Sequence, residues 1–272
     1  SKQQEEIGIY DFQVLTQNQW LPRSFNDWRF VLLVMIGSLA IFPDLGNATI
    51  LFLVALLMYS ISGIAHRWFA TILGVLTSLS FVSLSTIKLV GVDKFSKIPV
   101  FGYVAKRFSA FFNPFDDVAG AGHQLANSYY AMVNGGWFGL GLGNSIEKRG
   151  YLPEAHTDFV FSIVIEEFGF VGASLILALL FFLILRIILV GVRAKDPFNS
   201  MVAIGIGGMI LIQVFVNIGG ISGLIPSTGV TFPFLSQGGN SLLVLSVAIA
   251  FVLNIDASEK RAKLYSEYEA QL

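Results

Sequence analysis

Between Asp158 and Val192 the chain carries charge only at Asp158, Glu166, Glu167 and Arg186. A run this long and this apolar suits a bilayer, whose hydrocarbon core is crossed by a helix of about 20 mainly apolar residues. At about 1.5 Å of rise per residue the run exceeds a perpendicular crossing, so it is expected to protrude or to tilt strongly. Shorter apolar runs recur over about 30–42, 48–62, 70–87, 201–224 and 242–255. Backbone in lipid must satisfy its own hydrogen bonds, and helices do this within one segment. The expected fold class is therefore all-α: a polytopic transmembrane bundle, with residues 1–272 as one membrane domain.

Composition supports that class. Hydrophobic residues make up 54% of the chain and charged residues 13%, against about a quarter charged in soluble domains. The net charge of -1 gives no general attraction to nucleic acid, and the absence of cysteine excludes disulfides. Runs 30–42 and 48–62 are each short for a span and are parted by Pro43-Asp44-Leu45-Gly46. They are two short spans meeting at a tight turn or one broken helix, and the first alternative gives six spans. Lys and Arg cluster at Arg67, at Arg186, Arg193 and Lys195, and at Lys260, Arg261 and Lys263; none occurs over 219–240. Because short cytoplasmic loops carry the basic excess, six spans leave both ends cytoplasmic. The long, partly structured loop over about 88–157 is then extracellular.

That loop and its junction with the next span hold most of the candidate chemistry. Glu154, His156 and Asp158 fall within five residues at a membrane boundary, where ionisable groups are expensive and mark function. Thr157 or Asp158 is placed to cap the helix that follows. Asp158 is also the candidate base, since partial desolvation makes a carboxylate a stronger one. Glu166 lies eight positions on, close to two helical turns, and is the better companion for Asp158 than Glu167. Upstream stand Arg107, the pair Asp116-Asp117, and the run Gly139-Leu140-Gly141-Leu142-Gly143-Asn144-Ser145. The Gly run lacks the Lys-Ser/Thr ending of a phosphate loop, so a tight turn is the plainer reading. Lys148 and Arg149 follow it, however, and could meet a pyrophosphate. Near the last span, Ser236, Gly238 and Gly239 suggest backbone packed closely against something polar. Asp116 and Asp117 could hold a divalent cation, although adjacent loop acids are usually just solvated; no cofactor is otherwise indicated.

Taken in order, four segments resemble the signatures of the SEDS family (shape, elongation, division and sporulation proteins). They are Pro43-Asp44-Leu45-Gly46, the Gly139–Ser145 run, Leu152-Pro153-Glu154-Ala155-His156-Thr157-Asp158-Phe159 with Glu166-Glu167-Phe168-Gly169, and Pro233-Phe234-Leu235-Ser236-Gln237-Gly238-Gly239-Asn240-Ser241. Ala155 and the Gly-Asn-Ser run are closer to the division branch, FtsW, than to the elongation branch, RodA. Asn47 and Gln237 depart from the usual pattern.

The resemblance implies a peptidoglycan glycosyltransferase of the bacterial cytoplasmic membrane, acting at the division septum. It would polymerise lipid II onto an undecaprenyl-pyrophosphate-linked glycan, with a class b penicillin-binding protein and other divisome proteins as partners and membrane lipids around it. Asp158 takes the place of the family's essential carboxylate. Glu154, His156, Glu166, Arg107, Lys148, Gly141, Gly143, Asn144, Ser236, Gly238 and Gly239 are the expected substrate-binding positions, and no metal ligand is assigned. The resemblance also implies about ten spans, of which these six would be the last. The family's Gln-Pro-Ser-Glu motif, on a helix upstream of these six spans, has no match in residues 1–272, so activity of this portion alone is not expected. Two other roles stand beside polymerisation: a lipid II flippase, and a scaffold that only recruits a division partner.

Overall fold

The computed structural model describes residues 45–61, 74, 78, 85, 102–120 and 122–269, and among them every regular element is a helix. Residues 1–95 and 96–272 form two compact units. In the first, α1 (Leu45–Ile61) is an apolar helix beginning just after Pro43-Asp44. The expected spans over 30–42 and 70–87 lie outside the described residues, except that Gly74, Ser78 and Ser85 are helical.

The second unit contains α2 (Gly102–Phe112), α3 (His123–Gly135), a single 3₁₀ turn at Glu147–Arg149, and three long helices. These are α4 (Val160–Arg193), α5 (Pro197–Ile221) and α6 (Gly239–Glu269), each long and apolar enough to cross a membrane. Their outward residues are apolar: Leu175, Leu179, Phe182 and Leu185 on α4, and Leu243, Val247 and Phe251 on α6, are exposed. Soluble proteins rarely leave so continuous an apolar face in water. Between α4, α5 and α6 lies a core of Ile184, Ile187, Ile210, Val214, Leu245 and Val252. Small residues let α4 and α5 approach closely, as in other membrane bundles. A Cβ on Gly191 would come within 2.6 Å of Ile204, and one on Gly207 within 2.7 Å of Ile188.

Neither protrusion nor strong tilt is needed to explain the length of α4, because the helix is broken. Gly169 has φ 70° and ψ 177°, which divides α4 into a short first part and a second part over 170–193. At about 1.5 Å per residue the second part alone is about 36 Å long, enough to span. The break frees backbone groups that must find partners, and the segment 136–141 supplies them. Leu140 and Gly141 donate to the carbonyls of Glu166 and Glu167, each at 2.9 Å. Phe170 and Val171 donate to Gly136 and Trp137, at 2.9 and 3.1 Å. Thus Gly139 of the expected turn region is laced into the helix break.

The remaining ends follow ordinary capping chemistry. Asp196 caps α5 by accepting from the Asn199 amide at 3.2 Å, with Pro197 in the first turn, a favoured arrangement. Helix α6 runs 14 residues past the apolar stretch ending at Ile255, to Glu269. Pairs Asp256–Lys260 and Lys263–Glu267, spaced i,i+4, support that polar extension.

Candidate active site

Leu152–Phe159 reaches α4 as a succession of turns. The first helical residue is Val160, with Phe159 in the capping position and no side-chain cap. Neither Thr157 nor Asp158 caps the helix, contrary to expectation. Thr157 instead donates to the Glu154 carboxylate at 2.7 Å, and the amides of Thr157 and Phe159 donate to the Glu154 carbonyl at 3.1 and 3.3 Å. Glu154 adopts φ 56°, a left-handed conformation uncommon for a residue with a Cβ. Its carboxylate therefore closes its own turn.

Two other segments hold this turn in place. The Gln237 amide donates to the His156 carbonyl at 2.8 Å, and the Ser236 hydroxyl donates to the Thr157 carbonyl at 2.6 Å. Ser236 also accepts from the Phe232 amide at 2.7 Å. Stacked rings of Phe161 and Phe232, centroids 4.8 Å apart, fix the same loop against the start of α4. From α5, the Asn217 side chain donates to the carbonyls of Asp158, at 2.7 Å, and Val230, at 2.6 Å. Two amides four positions apart in an otherwise apolar run, Gln213 and Asn217, are the sequence signal for this contact, which the sequence analysis does not include in the site.

With the backbone fixed, the Asp158 carboxylate comes near the Arg107 guanidinium. The two groups converge on Gly229: a Cβ there would lie 3.0 Å from Arg107 Nη2 and 3.3 Å from Asp158 Oδ2. Gly229 has φ 76°, so backbone conformation and space both favour glycine. Arg107 further donates to the Ser227 carbonyl. Beside this pair opens a cavity of about 420 Å³ lined by Arg107, His123, Gln124, Pro153, Phe159 and Ser227, among others. Of the sequence candidates, Arg107 and Asp158 thus come together. His123, Gln124, Ser227 and Gly229 join them without having been chosen.

A second group of candidates is engaged elsewhere. Glu166 is fully buried; its carboxylate accepts from the Ser145 hydroxyl and from the amides of Ile146, at 3.0 Å, and Glu147, at 3.4 Å. Lys148 pairs with Glu167 through its ammonium, and its amide donates to Ser145 Oγ at 3.1 Å. Asn144 donates to the Leu140 carbonyl at 3.1 Å. Gly141 and Gly143, at φ 95° and 84°, shape the turn. Gly238 and Gly239 lead into α6, the Gly238 carbonyl accepting from Leu242 at 3.0 Å. Asp117 closes a turn through its carbonyl, which accepts from Gly120 at 3.1 Å and Gly122 at 3.0 Å. Among the described residues, no three His, Asp or Glu side chains are grouped to hold a metal ion.

His123 connects the cavity to the second group. Its Nε2 lies 3.2 Å from Asn127 Nδ2. Burial pushes the Glu147 carboxyl above its ordinary range and the nearby Glu166 charge adds to this, while His123 opposes it. Glu147 Oε2 is buried without a partner. A raised folded value means that the folded state holds this proton more tightly. Its stabilising contribution is full below the unfolded glutamate value and is lost as pH rises through the folded one. Glu147→Gln, which stays neutral, is expected to raise stability at pH 7 by about 1 kcal/mol, with the gain shrinking at acid pH. Melting curves of the full-length protein at both pH values check this, and a gain independent of pH would contradict it.

The fold and this site define a class: a multi-pass helical membrane protein with a guanidinium lining a cavity at one end of the bundle and a carboxylate close to that guanidinium. The family described as "Cell cycle protein" (FtsW, RodA, SpoVE) matches residues 14–261, and the chain belongs to it. "Probable peptidoglycan glycosyltransferase FtsW" of Lactococcus lactis is 52% identical over 97% of this chain and 63% of its own length. The Bacillus subtilis protein of the same description is 42% identical over 86% of this chain and 56% of its own. This chain therefore spans somewhat over half the length of the curated relatives it matches. Among solved structures, a chain from a peptidoglycan synthase complex matches at TM-score 0.63 and 25% identity, over 86% of this chain and 62% of that one. Thermus thermophilus rod shape determining protein RodA matches in fold at TM-score 0.53 and 22% identity, over 91% of this chain and 62% of its own.

Proposed function

We propose that the protein is a peptidoglycan glycosyltransferase of the division septum, polymerising lipid II on the outer face of the bacterial cytoplasmic membrane. The convergence of Asp158 and Arg107 on Gly229, beside the 420 Å³ cavity, carries this reading. The Asp158 carboxylate takes the proton of an acceptor sugar hydroxyl as its oxygen attacks the anomeric carbon of the lipid-linked chain. The bond from that carbon to the pyrophosphate oxygen breaks, and undecaprenyl pyrophosphate leaves with the electron pair. Arg107 places a positive charge beside this exchange, where developing negative charge is worth stabilising. Glu154 and His156 support the turn that presents Asp158. Glu166, Lys148, Gly141, Gly143 and Asn144 form the brace behind it, and Ser236, Gly238 and Gly239 fix the loop across from it.

The relatives and the synthase complex support the same assignment, with a class b penicillin-binding protein as partner. The substrate's polyprenyl tail stays in the bilayer while its sugars enter the cavity. A photoreactive residue at Gln124 of the full-length protein is expected to capture lipid II, and one at Ser266 is not. Equal capture at both positions would refute the cavity assignment. The same reading puts the Asp158 end outside and Leu272 inside. Cysteines placed singly at Asn144 and Ser266, both exposed, should respectively react and fail to react with an impermeant thiol reagent on intact cells. Equal labelling would overturn the topology.

A further inference from the structure

About thirty residues along α4 from Asp158, the bundle has a second concavity that glycosyl transfer does not use. It measures about 80 Å³ and is lined by Arg186, Leu189, Arg193, Asp256, Glu259 and Lys260, among others. Its level in the bilayer is marked by α6: residues 242–255 carry no charge, and from Asp256 onward charges recur every turn. The concavity therefore sits where hydrocarbon gives way to headgroups.

Its charges are unequally satisfied. Asp256 is paired with Lys260 at 2.5 Å. Glu259 uses both oxygens on the chain entering α5, accepting from the amides of Lys195, at 3.2 Å, and Asp196, at 3.4 Å. Among the described residues, neither Arg186 nor Arg193 has an ion-pair or hydrogen-bond partner. Seven positions apart, they share one helix face about 10.5 Å apart along the axis, and both line the same concavity. A guanidinium inside the apolar length of a span is costly unless its charge is met. Exposed Phe182, Leu185 and Val192 lie on the same helix, so whatever anion enters has apolar surface beside it.

We propose that this groove binds a phosphate, and that the phosphate belongs to the headgroup of an anionic phospholipid. Arg186 and Arg193 hold its oxygens through their planar forks, while the acyl chains run along the exposed face of α4. Basic pockets between spans on the cytoplasmic side are suited to such headgroups. The lipid would bridge the ends of α4 and α6, adding to the Glu259 contact and to the packing of Gly191 on Ile204.

The test uses the full-length protein, with phosphatidylglycerol, phosphatidylcholine and inorganic phosphate as probes. Native mass spectrometry should show phosphatidylglycerol retained in preference to phosphatidylcholine. R186Q/R193Q should reduce that retention about tenfold, the scale expected for losing charge-assisted hydrogen bonds. R261Q/K263Q, an equal charge change outside the groove, should retain lipid as the unaltered protein does. Inorganic phosphate should not raise the melting temperature, whereas phosphatidylglycerol should. R193Q alone, at the exposed helix end, should lose part of the retention even if the double variant fails to accumulate. Unchanged retention in R193Q, equal loss in R261Q/K263Q, or equal protection by inorganic phosphate would each overturn the proposal.

Discussion

Full-length protein carrying Gly169→Ala is expected not to accumulate in the membrane. Gly169 occupies φ 70° and ψ 177°, a region essentially confined to glycine and costing other residues about 1–3 kcal/mol. Space adds to this strain. A Cβ would lie 2.4 Å from the Gly139 nitrogen and the Trp137 oxygen, and 2.5 Å from the Phe138 carbonyl carbon. All three are backbone atoms of the segment laced into the α4 break, so relief requires pulling that segment out. The hydrogen bonds from Leu140, Gly141, Phe170 and Val171 would then be lost, at about 1 kcal/mol each or more where the groups stay buried. Gly143→Ala is the matched control: φ is 84°, but nothing lies within 4 Å of the added carbon. It should accumulate and melt only slightly earlier. If the two variants accumulate and melt alike in quantitative membrane immunoblots and thermal shift, the α4 break is not held as described.

The long helices were legible because hydropathy reports them directly: the runs at 158–192, 201–224 and 242–255 underlie α4, α5 and α6. The break in α4 was not. Gly169 gives no sign of it without segment 136–141, which lies some thirty positions earlier and supplies the missing partners. The polar end of α6 escaped because it rests on spaced ion pairs and not on hydropathy. In the site, Asp158 and Arg107 are both candidates from sequence, but nothing in their spacing of 51 positions predicts that they converge on Gly229. Counting two helical turns makes Glu166 the companion of Asp158. That count fails because α4 starts at Val160 and leaves Asp158 in a turn. The Glu166 carboxylate is instead taken up by Ser145, Ile146 and Glu147.

This local geometry makes Asp158→Asn a clean substitution. Asp158 does not cap α4, so no helix stability depends on its side-chain oxygen in that role. The contact from Asn217 is to the Asp158 backbone carbonyl, at 2.7 Å, and it survives the change. What is removed is the negative charge beside Arg107 and the capacity to accept a proton. Assistance of that kind contributes about 10²–10⁴-fold in rate. The direct measurement is the rate of glycan formation from purified lipid II by full-length protein with its class b penicillin-binding partner. Unaltered protein and Asp158→Asn are compared at matched insertion and melting temperature. The account predicts strand synthesis by the unaltered protein, and a variant that still captures lipid II at Gln124 but polymerises at least about a hundredfold more slowly. Near-normal polymerisation by the Asn variant would contradict it.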